Sequence, residues 1–187
     1  ACWCRETAGR GTAATEGLPA GWRQYRALQS PCTSKPGGPE DTVRLDSIGA
    51  FLLRAREAGS WLQMGFELPE TFSGEVFCDL VNYTDRGTVR IYLDDEVAVS
   101  EYDHYAETAS AQRVSLGQRR LAAGAHTLKV EALAAHGGAD RMFIALGGVT
   151  LKPAGAPDSI ADTVFTIQPS DPVDALREGT VTTLQWH

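Results

Sequence analysis

The chain has 187 residues, 43% hydrophobic and 22% charged, with 17 Lys plus Arg against 24 Asp plus Glu and a formal net charge of −7. That length suits one domain with ragged ends, and the composition is that of a folded globular chain rather than a disordered one. An acidic surface repels phosphate backbones, and no apolar run approaches the ~18 residues of a membrane helix, so neither nucleic acid nor membrane is an expected partner.

Residues 1–41 read as an irregular N-terminal arm. The first twenty are small and polar, and Gly37-Gly38-Pro39 closes a loop-like stretch after Trp22. No basic region followed by an apolar one stands at the start, so no signal peptide is read in the chain as given. Gly9-Arg10-Gly11-Thr12-Ala13-Ala14 has loose dinucleotide-loop spacing, but neither a strand before it nor a helix after it, and reads as plain loop. Cys2 and Cys4 are too close to bond each other comfortably, whereas either one bonded to Cys32 would staple the arm. A zinc site here lacks the second close cysteine pair. Cys78 falls in a strand pattern and reads as a small buried hydrophobe. The cysteine usage leans toward an exported protein, extracellular or periplasmic, whose signal peptide has been removed.

From Thr42 to Pro153 the texture changes to short alternating segments. Ala50 to Ala58 has good helix formers, yet Phe51 and Leu53 also alternate with Leu52 and Arg54, which leaves helix and strand both open. Leu62, Met64, Phe66 and Leu68 alternate with Trp61, Gln63, Gly65 and Glu67 until Pro69, a two-residue period that predicts a strand. Val76, Cys78 and Leu80 repeat the pattern, and Thr84-Asp85-Arg86-Gly87 supplies a turn. Val89, Ile91 and Leu93 form the next inward set, with a tight turn at Asp94-Asp95 before Val97 and Val99. Val114 and Leu116 open another strand, Leu121 to His126 makes a bend with His126 as a surface or turn residue, and Leu128 and Val130 follow. His136 to Asp140 is a loop, and Phe143 to Leu151 closes the run. Short strands separated by Gly- and Asp-rich turns predict an all-β, antiparallel β-sandwich of the jelly-roll kind over residues 42–153. Residues 154–187 read as a linker and short C-terminal extension, with apolar segments at Val164–Ile167 and Val181–Trp186 and a turn or two of helix at Val173–Glu178.

Glu101-Tyr102-Asp103-His104-Tyr105 is the densest functional cluster. Ring faces beside a carboxylate and an imidazole suit sugars, whose C–H faces stack on aromatic rings while hydroxyls pair with planar polar groups. Tyr102 and Tyr105 serve equally well as core anchors for a crossing loop, so both readings stay open. Asp103 and His104 are adjacent in a strand-like segment and point to opposite faces, which argues against a base and its orienting carboxylate. His136, Asp140 and Arg141 lie in a Gly-rich loop that could close over a ligand as a second wall. Trp61 is a further ligand candidate; it starts an apolar strand and reads equally as core, although it cannot point inward together with Leu62. Asp94-Asp95-Glu96 offers oxygen ligands for calcium, against the plainer reading of a solvated hairpin turn. No other cofactor and no catalytic residue is singled out. Asn82-Tyr83-Thr84 is a glycosylation sequon that a turn explains equally well.

The order of these segments resembles a family. Gly59-Ser60-Trp61 before an alternating strand and Pro69, then Asp85-Arg86-Gly87-Thr88-Val89-Arg90-Ile91-Tyr92-Leu93-Asp94, is similar to the opening strands of carbohydrate-binding-module-like, galactose-binding-like β-sandwich domains. Leu116-Gly117 followed by Leu121-Ala122-Ala123-Gly124-Ala125-His126-Thr127-Leu128, and the closing Phe143 to Leu151, resemble their later strands. The family departs here in Asp95, where a turn glycine is usual, and in Gly147-Gly148, where an aspartate is usual. The resemblance implies extracellular carbohydrate chemistry beside bacterial glycoside hydrolases. It makes the expected function a non-catalytic carbohydrate-binding or ancillary module, with carbohydrate as partner. The alternative is a structural jelly roll that packs on a catalytic domain or on identical chains. A small glycan-active enzyme comes third.

Overall fold

A computed structural model describes residue 13 and residues 18–38, 40–138 and 141–156. Among the described residues eleven strands run in chain order: β1 Arg23–Arg26, β2 Cys32–Lys35, β3 Thr42–Leu45, β4 Ala50–Leu53, β5 Trp61–Leu68 and β6 Phe72–Asn82, then β7 Gly87–Leu93, β8 Glu96–Asp103, β9 Ser110–Leu121, β10 Gly124–Ala135 and β11 Ile144–Pro153. Among the described residues the only helical pieces are short 3-10 turns, at Ala27–Gln29, Asp46–Ile48 and His136–Gly138. None is long and apolar enough to cross a membrane.

Two antiparallel sheets face each other. One has the order β3-β4-β11-β6-β9, with β1 also paired to β11; the other has the order β2-β5-β10-β7-β8. This is the expected antiparallel sandwich. The alternating residues fill its interior: Leu62, Met64, Phe66 and Leu68 from β5 meet Val89, Ile91 and Leu93 from β7 and Leu128 and Val130 from β10. Val76, Cys78, Leu80, Leu146, Val149 and Leu151 close the core from the other sheet. Each fully buried aliphatic side chain contributes roughly 1.5–3 kcal/mol of transfer free energy. Cys78 is a free, fully buried thiol whose pKa burial raises, as a core hydrophobe should be.

Three local expectations shift. The sheets begin at Arg23, ahead of Thr42, because β1 and β2 supply one strand to each sheet. The ambiguous segment after Gly49 becomes strand β4, whose Leu53 and Leu52 pair with Ile144 and Ala145 of β11. The β9 strand starts at Ser110, four residues before Val114. The cysteines Cys2 and Cys4, the glycine run at Gly9 and the C-terminal segments Val164–Ile167, Val173–Glu178 and Val181–Trp186 lie outside the described residues.

The outer face of the β1-containing sheet is also covered. Trp22 stacks on Phe77 at 5.9 Å, and Arg113 and Lys152 flank its ring. At the other end, Ile48 and Ala50 pack on Val81 and Ala145 as a second small core. Beneath these covers Asp79 is 2% exposed and accepts hydrogen bonds from Gln24 Nε2 (2.8 Å), Thr150 Oγ1 (2.6 Å) and Arg113 Nε (2.9 Å). One carboxylate thus joins β1, β11, β6 and β9.

The β7–β8 turn forms as expected at Asp94-Asp95, and both residues have positive φ, 51° and 65°. That pair of angles defines the primed turn whose twist matches a two-residue hairpin, at a cost for residues other than glycine. Asp94 recovers part of that cost, because its carboxylate accepts from Thr127 N (2.8 Å) and bonds His126 Nδ1 (2.6 Å). Asp95 makes only a 3.9 Å ion pair with Lys129 from an 85% exposed side chain. Asp95→Gly should therefore stabilise the fold by about 0.5–1 kcal/mol, whereas Asp94→Gly should destabilise it. Thermal melts of both variants check this, and a lower melting temperature for Asp95→Gly would refute the account.

Candidate functional site

The loops at one end of the five-stranded sheet gather the predicted cluster. The β8 strand delivers Asp103 opposite Thr88, and the chain then turns so that Tyr105 bridges to Tyr83. The β10 strand ends beside Gly87 and leads into His136. Tyr105 and His136 stack with ring centroids 3.8 Å apart and planes 5° from parallel. Asp103 fixes both partners: Oδ1 accepts from Tyr105 N at 3.0 Å, and Oδ2 faces His136 Nδ1 at 3.2 Å. Two neighbours on one loop and a residue some thirty positions further on thereby form one surface element. The Asp103 and His136 side chains are 54% and 40% exposed, so the group faces solvent. It presents an aromatic face, a carboxylate with spare lone pairs, and a second imidazole nitrogen.

The neighbours in sequence go the other way. Tyr102 pairs with the inward Val89, its ring packs against the core, and Asn82 Nδ2 donates to its hydroxyl at 3.0 Å. Burial raises the Tyr102 pKa. Tyr102 is therefore a core anchor, whereas Tyr105 is partly exposed and stacks on His136. Asn82 is buried and committed to Tyr102, so its sequon is closed to glycosylation in the folded chain.

His104 is fully buried, the opposite of a ligand-facing residue. Its Nε2 lies 2.9 Å from Val81 O, a pure acceptor, so Nε2 carries the proton and Nδ1 is left as a buried lone pair without a partner. Burial, and then the charge of Arg86, push its pKa down to about 3. Arg86 is itself buried, donates from Nε to the same carbonyl at 3.2 Å, and pairs with Asp85. This knot holds the chain at the base of the site. It is a positioning group, and the expectation that His104 meets ligand is corrected on its burial.

The remaining candidates separate. Arg141 lies at the mouth of the same loop, with its guanidinium 6.0 Å over the Phe143 ring. Asp140 lies outside the described residues. Trp61 is partly exposed on the outer face of β5, between Lys35 of β2 and Glu131 of β10. The acidic turn does not assemble for calcium: the Asp94 carboxylate is engaged by His126 and Thr127. Among the described residues no group of three or more His, Cys, Asp or Glu side chains could hold a metal ion. His126 is correspondingly a buried strand residue rather than a surface one, and its Nε2 faces Ala122 O at 2.8 Å.

Thr88, Arg90, Tyr92, Lys129 and Glu131, none of them a candidate from sequence, share the outer face of the sheet with Trp61. Tyr92 donates to Glu131 Oε2, and the Lys129 ammonium sits 4.0 Å over the Tyr92 ring. Alternation alone marks each of these as outward. Only the strand register places them side by side.

No protein-family model matches the chain, and no curated protein matches it in sequence. Among solved structures, a xanthan lyase from Paenibacillus is similar with a TM-score of 0.58 and 12% identity, over 75% of this chain and 14% of that one. The insecticidal crystal protein Cry2Aa is similar with a TM-score of 0.52 and 11% identity, over 73% of this chain and 22% of that one. A family 35 carbohydrate binding module from Clostridium thermocellum aligns with a TM-score of 0.45 and 16% identity, over 72% of this chain and 100% of that one. The chain thus spans a small part of the two larger proteins, and identities this low speak to fold alone. What the likeness shows is the two-sheet antiparallel β-sandwich fold, shared with part of the xanthan lyase and of Cry2Aa.

Proposed function

We propose that the chain is a non-catalytic carbohydrate-binding module whose ligand rests on Tyr105, His136 and Asp103. The observation that carries this is the Tyr105–His136 stack pinned by one carboxylate. Such a surface pre-orders a ring face and directional acceptors before the ligand arrives, which lowers the ordering cost of binding. A xanthan lyase among the fold neighbours, and a carbohydrate binding module aligned over its full length, agree with that chemistry. We place the module in a secreted glycan-degrading protein, extracellular or periplasmic, beside a catalytic domain.

Affinity electrophoresis against a panel of soluble polysaccharides tests the reading. Retardation of the wild-type chain should weaken by about tenfold in affinity in Tyr105→Ala and in His136→Ala, the scale of one lost aromatic contact. Retardation unchanged in both variants would move the site elsewhere. A second reading, a structural jelly roll that pairs with identical chains, is favoured by Val97, 52% exposed on the edge strand β8. No retardation on any glycan, together with a solution mass above that of one chain, would establish it instead.

A further inference from the structure

We infer that the ligand is an extended, uncharged stretch of polysaccharide that leaves the Asp103 group and crosses the outer face of the five-stranded sheet to Trp61. This rests on the carbohydrate-binding reading above and adds the direction and length of the site.

The register supplies the path. Asp103 is paired with Thr88, so the two side chains share a face. Arg90 lies two residues along β7, whose burial alternates without interruption from Gly87 to Leu93, and so points to the same side. Arg90 pairs with Glu131, and Glu131 pairs with Trp61. Asp103, Thr88, Arg90, Glu131 and Trp61 therefore form one continuous outward row across β8, β7, β10 and β5. Three strand spacings and two residues of rise separate its ends by about 16 Å, too far for one sugar ring to touch both. A ligand that meets both ends is an oligosaccharide.

Side-chain pairing along the row points to an uncharged ligand. Glu131 accepts from the Tyr92 hydroxyl, Lys129 covers the Tyr92 ring, and Arg90 Nε donates to Ser100 O at 3.3 Å. Tyr92, Glu131 and Lys129 are held by one another and Arg90 by a backbone carbonyl, and their remaining lone pairs and N–H bonds suit hydroxyls. Trp61 differs from its neighbours. Among the described residues no ring and no cation stacks on it, although it stands partly exposed between Lys35 and Glu131. An open indole face continuous with the Asp103 group is what a sugar chain arriving from that group would stack on.

Calorimetric titration with cello-, xylo- and manno-oligosaccharides, from mono- to hexasaccharide, tests this with the wild-type chain and Trp61→Ala. The wild type should bind the hexamer of its preferred series at least about tenfold more tightly than the dimer, and Trp61→Ala should reduce that ratio to near one. Tyr105→Ala should weaken every length alike. A wild-type ladder that is flat, or one that keeps its slope in Trp61→Ala, would overturn the extended site, while Tyr105-sensitive binding would leave the carbohydrate reading standing. Binding of no member of any series, with none in the polysaccharide panel, would remove both. Tighter binding of a polyuronate than of any neutral chain would overturn the uncharged ligand. A change of solution mass in Trp61→Ala without a change in glycan binding would make this face a contact between copies and overturn the proposal.

Discussion

Replacing Asp79 with alanine is expected to lower the unfolding free energy by about 3 kcal/mol, the scale of breaking a buried hydrogen-bonded charge pair. The carboxylate is 2% exposed and satisfies donors from three other strands. Its removal leaves the Thr150 hydroxyl and the Gln24 amide, 0% and 3% exposed, without their acceptor. Arg113 suffers less, because its side chain is 23% exposed and lies over Trp22. Asp79→Asn separates the two parts of the cost. Gln24 and Thr150 both bond Oδ2 while Arg113 bonds Oδ1, so a carboxamide oxygen in the Oδ2 place keeps two bonds and sets its amide against the Arg113 N–H. That variant should lose about half as much as alanine. Urea denaturation measures both, and a loss below about 1 kcal/mol for Asp79→Ala would mean that solvent replaces the network.

The same network shows where sequence reading stops. The strands β5 and β7 announced themselves because one face of each meets the core and the other meets water, which is the condition for a two-residue period. The β6 strand begins that way and then buries Asp79, Leu80, Val81 and Asn82 in succession. Its second face is covered by Trp22 and by the Asp46–Ile48 turn, segments brought there by tertiary structure and carrying no local mark of it. The strands β1 and β2, RQYR and CTSK, are four residues each and mostly polar, too short for any period to show. Those two were hidden by length, and Asp79 by its cover.

The site divides along the same line. Adjacent residues in an extended chain face opposite ways, and that rule alone separates outward Asp103 from buried His104, and outward Trp61 from buried Leu62. It does not say which of two tyrosines is the anchor. The β7–β8 register, with its bulges, settles that by setting Tyr102 against Val89. His136 and Tyr105 are 31 positions apart in the numbering, and nothing local joins them. Their stack depends on β10 ending beside Gly87, where the Ala134 carbonyl lies 2.1 Å from the place a side-chain Cβ would occupy. A glycine at that position is what lets the two strands close over the base of the site.

His104 should make the fold acid-sensitive, and the sign follows from its surroundings. Burial and the Arg86 charge hold its folded pKa near 3, well below the ordinary 6.5 of an exposed imidazole. Above pH 6.5 neither the folded nor the unfolded chain carries the proton, and His104 costs nothing. As pH falls below 6.5 the unfolded chain takes up a proton that the folded chain refuses, so stability declines until the folded imidazole also charges near pH 3. The slope approaches about 1.4 kcal/mol per pH unit, which makes the loss at pH 4.5 about 2–3 kcal/mol relative to pH 7. Other carboxylates titrate over part of this range, so the comparison needs a variant that keeps the shape and removes the proton site. His104→Gln can still donate an amide N–H toward Val81 O, the one bond the imidazole makes from its side chain. At pH 7 this variant should be less stable than wild type, because its packing is poorer. By pH 4.5 the gap should have closed by about 2–3 kcal/mol, or reversed. Urea midpoints taken at half-unit intervals between pH 7 and pH 4.5 give the answer. A gap that stays constant would show that His104 charges in place, with water reaching Nδ1, and that the base of the site is wetter than its packing indicates.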